Sequence, residues 1–173
     1  GRYDSEGPWE PYIHEAEDGY DTQQWVGEQP WCDGNIGTFG VSYLAFTQTL
    51  PAPFRSPYVK ALVPIAGQQD NFGHQYVDGA FHLHVAMVFH IWVGRTLQTD
   101  ARALMNEMEI YRRLPLVSAL DDIADVPWYR DIVTHHTYDE FWKQYGLRDK
   151  YEQVDTPAYF ITGWYDALLH EGF

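Results

Sequence analysis

Basic residues are scarce in this chain: 11 Lys and Arg stand against 25 Asp and Glu, a formal net charge of -14 over 173 residues. A surface of that sign repels phosphate backbones and anionic headgroups, which argues against nucleic acid and membranes as partners. Cysteine is scarcer still. The single Cys32 cannot close an internal disulfide, so the fold needs no oxidising compartment, which favours the cytoplasm over secretion without settling localisation. Its neighbours Trp31 and Asp33 offer no base, so a thiol nucleophile is not expected. No apolar run approaches the roughly 20 residues of a membrane span, no signal-peptide pattern opens the chain, and there is no internal repeat or low-complexity tract. The 8 histidines lack ligand spacing. On a helix His82 and His84 diverge by roughly 200°, the adjacent His135 and His136 are read in another helical stretch, and no Cys or Glu completes a set. Neither a metal nor a cofactor is expected.

Aromatics, by contrast, are abundant at 17%, with 7 Trp and 13 Tyr, enough for a thick core or for an aromatic-lined pocket. The length suffices for one domain with a real core. The most informative stretch is Gly40-Val41-Ser42-Tyr43-Leu44-Ala45. Ser42 stands between a β-prone run, residues 36–41, and a helix-prone run, residues 43–50. Strand, serine and helix, with glycine two residues before the serine, is the pattern of a nucleophile elbow, whose sharp turn lifts the hydroxyl clear of the sheet. Small neighbours, Gly40 and Ala45, permit the close approach of strand and helix. Taken alone, the hexapeptide reads equally well as a serine N-cap of an ordinary helix.

Around the elbow the order is α/β. Asp18 or Asp21 is positioned to cap a helix reaching about Gln29, which Pro30 ends. Residues 59–66 form a continuous apolar run suited to a buried parallel strand. Residues 80–143 read as helices, over 81–99, 101–113, 126–133 and 139–145, and the sheet resumes at 158–162. The expected organisation is an α/β core over residues 1–70, a helical insertion over 71–150, and a return to the core over 151–173.

The segment from Trp31 through Ser42 to Gln48 closely resembles the nucleophile segment of the CocE/NonD and X-prolyl dipeptidyl peptidase (S15) group of α/β-hydrolases. The likeness extends upstream through Gly1-Arg2-Tyr3-Asp4-Ser5-Glu6-Gly7 and Glu17 to Thr22, and returns at Thr162-Gly163-Trp164-Tyr165-Asp166. It implies a partial α/β-hydrolase fold with a helical cap, and a serine hydrolase acting on an ester or amide acyl group of a small molecule or peptide. It implies Ser42 as nucleophile, the Tyr43 backbone amide as an oxyanion donor, and Asp166 as the acid of a triad ordered serine, acid, histidine. Without the resemblance Asp166 reads as the cap of a helix starting at Ala167. The histidine is the gap. Only His170 follows Asp166, too close in sequence to reach both partners, and in the family this residue lies well downstream, which implies that the chain is an internal stretch of a longer enzyme. If it were the whole gene product, a non-catalytic binding remnant would be the competing reading. The resemblance departs at Ala45, where the group usually has glycine. Asp70 and Asp78 follow the second strand, where related amino-acid ester hydrolases bind a substrate ammonium, although solvated loop acids are the plainer reading. Oligomeric state is not readable.

Overall fold

The computed structural model describes residues 4, 6–94 and 107–169. The chain divides into two compact units, Tyr12–His74 with Glu140–Phe173, and Gly1–Pro11 with Gln75–Asp139.

The first unit opens with helix α1 (Glu15–Gly27), whose first turn carries Glu15, Glu17 and Asp18. Three carboxylates suit the positive end of a helix dipole. Asp18 and Asp21 therefore lie inside the helix and do not cap it. The N-cap is His14, whose side chain makes no capping bond, while its carbonyl accepts the Asp18 N–H at 3.0 Å. Strand β1 (Ile36–Val41) leads through Ser42 into helix α2 (Tyr43–Thr49), and strand β2 (Val59–Ile65) returns beside β1. The two strands are parallel, with Val41 level with Ile65. One helix between them is the crossover a parallel pair requires.

Residues 158–162 join on the far side of β2, bridging Leu62 to Ala158 and Ile65 to Ile161, again parallel. This segment is not the full strand expected. Leu62 and Ala66 donate to Pro157 and Ile161, but Pro64 between them has no N–H to contribute, so the ladder is interrupted. Gln48, buried on α2, ties helix to sheet: its Oε1 accepts from Thr38 Oγ1 at 3.0 Å and from Val63 N–H at 3.1 Å. Ala45, Phe46 and Leu50 bury the inner face of α2, with Leu62 buried on β2. Helix α3 (Asn71–Gln75) follows β2.

In the second unit, strands β3 (Tyr76–Val77) and β4 (Ala80–Phe81) form an antiparallel hairpin where helix was expected from residue 80. Its turn is Asp78-Gly79, both with positive φ (51° and 82°), the geometry for which Asp-Gly is best suited. A π-helical turn, His84–Phe89, then runs into α4 (His90–Val93). The remainder of the helix expected over 81–99, and the first half of that over 101–113, lie outside the described residues; α5 (Glu107–Tyr111) continues the latter. Helix α6 (Tyr129–Thr134) ends before His135, so the His135–His136 pair stands beyond the helix in which it was read. Met87, Ile91, Leu120, Trp128, Tyr129 and Ile132 form the core. Buried His90 accepts the Trp128 indole N–H on Nδ1 at 2.9 Å, and its Nε2 lies 3.2 Å from the Gln75 side-chain amide. Among the described residues no helix is long and apolar enough to cross a membrane.

Candidate active site

Ser42 sits at the carboxyl end of β1 with φ 60° and ψ -125°, a backbone region non-glycine residues avoid. Its N–H donates to the Ile65 carbonyl at 2.9 Å and its own carbonyl accepts from Ala45 N–H at 2.9 Å, so the strained turn is held on both sides. An ordinary N-cap serine has extended backbone and bonds its hydroxyl to an amide one turn on. Ser42 does neither: its side chain makes no cap bond and the residue is exposed.

Two glycines make the turn possible. A Cβ on Gly40 would stand 2.6 Å from Leu44 Cβ and 2.8 Å from the Leu44 carbonyl oxygen. A Cβ on Gly67 would stand 2.2 Å from Ala45 Cβ. Gly67 was not singled out from the sequence, yet it explains how alanine is accommodated at position 45: the methyl occupies space that residue 67 leaves open.

Tyr43 follows Ser42, and its first-turn amide has no acceptor within the helix. Its phenol is engaged elsewhere. The hydroxyl donates to Glu15 Oε1, and accepts the Tyr12 N–H at 3.1 Å. Burial, and after it the Glu15 carboxylate, holds the Tyr43 phenol far above its ordinary pKa. It stays protonated, so the chemistry available at Tyr43 is that of its backbone N–H.

Asp166 lies five residues past Ile161, and Ser42 one residue past Val41. Val41, Ile65 and Ile161 are level across the sheet, so the two segments leave it at the same carboxyl edge. Asp166 Oδ1 accepts the Leu168 N–H at 2.7 Å, which fixes the carboxyl group in its loop. Trp164, Tyr165 and Leu44 stand exposed in the segments around these two residues. His170 lies outside the described residues.

Asp70 and Asp78 are placed differently from each other. Asp70 is buried, with its carboxylate paired to Arg148 and accepting Phe72 N–H at 3.1 Å and Gly73 N–H at 3.2 Å. Asp78 is exposed in the hairpin turn of the other unit.

A parallel sheet with helices, and a strained serine between strand and helix at its carboxyl edge, define a partial α/β-hydrolase fold. The fold is shared with an aminopeptidase of a marine-sediment Thaumarchaeota archaeon, at a TM-score of 0.67 and 20% identity over 98% of this chain and 33% of that one. A CocE/NonD family hydrolase from Staphylococcus aureus superposes at a TM-score of 0.55 with 29% identity over 90% of this chain and 24% of its own. The sequence is 30% identical to cocaine esterase of Rhodococcus sp. (strain MB1 Bresler) over 99% of this chain. The family model described as X-Pro dipeptidyl-peptidase (S15 family) matches residues 1–173, and the chain belongs to that family. It spans 33% of the length of the Rhodococcus relative.

Proposed function

We propose that the protein is a serine hydrolase that cleaves an ester or amide acyl bond of a small molecule or peptide through an acyl-enzyme. The observation that carries this reading is the elbow: Ser42 holds a strained φ of 60° between strand and helix, is exposed, and leaves its side chain unused as a cap. Strain of this kind persists where the surrounding structure imposes it and clusters at reactive sites. Ser42 Oγ attacks the acyl carbonyl while an imidazole supplied by the whole protein takes its proton. Asp166 orients that imidazole and stabilises its charged form. The developing oxyanion is held by the Tyr43 N–H, the amide that follows the nucleophile. Water then repeats the cycle on the acyl-enzyme and returns Ser42. Residues 71–150 are the helical cap insertion of this reading, and Leu44, Trp164 and Tyr165 supply apolar surface for the substrate.

The test is labelling of the full-length protein with a fluorophosphonate. The probe is expected on Ser42, and Ser42→Ala abolishes both labelling and ester turnover. Asp166→Asn lowers kcat by roughly 10²–10⁴-fold, as loss of the orienting acid does in serine hydrolases. Turnover undiminished in Ser42→Ala removes the nucleophile assignment. A full-length protein that neither labels nor turns over esters or amides is a binding remnant of the fold.

A further inference from the structure

Around the Tyr43 phenol lies a polar cluster that the proposed chemistry leaves unused. Glu15 begins α1, and its Oε1 accepts the Tyr43 hydroxyl proton. Its other oxygen is buried and has no hydrogen-bond partner among the described residues, so the carboxylate commits its bonding to Tyr43. Tyr12 holds φ at 72°, a left-handed backbone that costs energy in a bulky residue, and from it donates its N–H to the same phenol oxygen at 3.1 Å. The Tyr12 ring packs on the Tyr43 ring, centroids 4.7 Å apart, and edge-on against Phe46 at 4.8 Å. Glu15 and the Tyr12 backbone, from the stretch that leads into α1, thus converge on one hydroxyl, that of the residue following Ser42.

The peptide between Ser42 and Tyr43 carries the N–H assigned above to the oxyanion. One end of that peptide is tied to the sheet through the Ser42 N–H on Ile65. The other end, Tyr43, has its side chain tied to Glu15 and Tyr12. We propose that Glu15, acting through the Tyr43 hydroxyl, is a positioning residue that fixes the direction of the Tyr43 backbone N–H for oxyanion binding. This rests on the reading of Ser42 as nucleophile. Glu15 does not touch substrate. A helix start in an unrelated part of the sequence is recruited to orient the site, and the phenol is the rod between them. Preorganised donors act because they need no reorientation as charge develops, and a donor free to swing loses part of that advantage.

The test uses full-length protein with 4-nitrophenyl acetate as substrate and an aryl trifluoromethyl ketone as a mimic of the tetrahedral adduct. Glu15→Ala and Tyr43→Phe are each expected to lower kcat about tenfold, less than the 10²–10³ of a deleted oxyanion donor, with KM nearly unchanged. Affinity for the ketone falls in the same proportion. The double variant is no slower than the slower single one, because both break one linkage. Glu15→Gln keeps an acceptor for the phenol and recovers most of the rate lost in Glu15→Ala. Tyr43→Phe removes one oxygen and leaves the ring packing, so it remains decisive if Glu15→Ala does not fold. A Tyr43→Phe enzyme whose kcat and ketone affinity match the parent overturns the inference while labelling at Ser42 leaves the reading beneath it intact. Losses that multiply in the double variant also overturn it. Absence of fluorophosphonate labelling at Ser42 in the parent overturns the reading itself, and the role of Glu15 with it.

Discussion

At the scale of single residues, the contact between Ala45 and Gly67 governs how closely helix and sheet approach beneath Ser42. The two positions share one methyl's worth of space: it is filled from the helix, and a Cβ on Gly67 would stand 2.2 Å from the Ala45 Cβ. Gly67→Ala is therefore expected to destabilise the protein by about 1–3 kcal/mol, the range for overpacking a close contact. Adding Ala45→Gly moves the methyl to the other side and recovers part of that loss, less the roughly 1 kcal/mol that glycine costs inside a helix. Urea unfolding of the two single variants and the pair measures the coupling, and simple additivity would show that the contact does not limit packing. Ala45 was legible as a small residue of the elbow. Gly67 was not, because nothing in local sequence says which later residue will face it.

At the scale of elements, α2 is fastened to the sheet by Gln48 as much as by its apolar face. One buried amide oxygen accepts from Thr38 on β1 and from the Val63 backbone on β2, while the amide nitrogen donates to the Leu44 carbonyl at 2.9 Å. Replacing it with Leu keeps volume but removes the acceptor that Thr38 Oγ1 and the Val63 N–H share. Gln48→Leu is expected to cost roughly 1–3 kcal/mol, and Gln48→Glu, which retains the acceptor, less. Equal urea midpoints for parent and Gln48→Leu would refute this. Elements with a strong local pattern matched their expected limits closely: β1, α2 and β2 came from a β-prone run, a helix-prone run and an apolar run. Others did not. The start of α1 was displaced because the residue that anchors its first turn, Glu15, is held by Tyr43, 28 residues away. The hairpin Tyr76–Phe81 carried its signal in Asp78-Gly79, but strands of two residues are too short to show a period. The interruption at residues 158–162 arises from a proline on the neighbouring strand.

At the scale of the whole molecule, one face of the sheet is apolar and open. Register places Phe39 and Val41 of β1 beside Val63 and Ile65 of β2, with Tyr159 and Ile161 beyond. Phe39 is 80% exposed and Tyr159 70%. A contiguous surface of this kind on a sheet with open edges promotes association. The 173 residues expressed alone are expected to bind a hydrophobic dye such as ANS and to elute as mixed oligomers. A monodisperse monomer with no dye binding would contradict this, and the net charge of -14 is the one feature that opposes association.

What the sequence determined by itself was the local grammar: a parallel α/β core, the strand–serine–helix turn at Ser42, and an acid after a later strand. Those follow from runs of neighbouring residues whose periods and small side chains carry their own meaning. Tertiary structure alone decided what meets at the turn. It set the segment before Asp166 level with the strand before Ser42, through the common register of Val41, Ile65 and Ile161. It engaged Asp70 with Arg148 and two helix amides, and set Asp78 in a hairpin of the other unit. It also brought Glu15 and Tyr12 onto the Tyr43 phenol and Gly67 under Ala45. The reason is physical: a hydrogen bond or a packing contact between distant residues leaves no period in the chain, and exists only once the sheet register and the helix positions have been set.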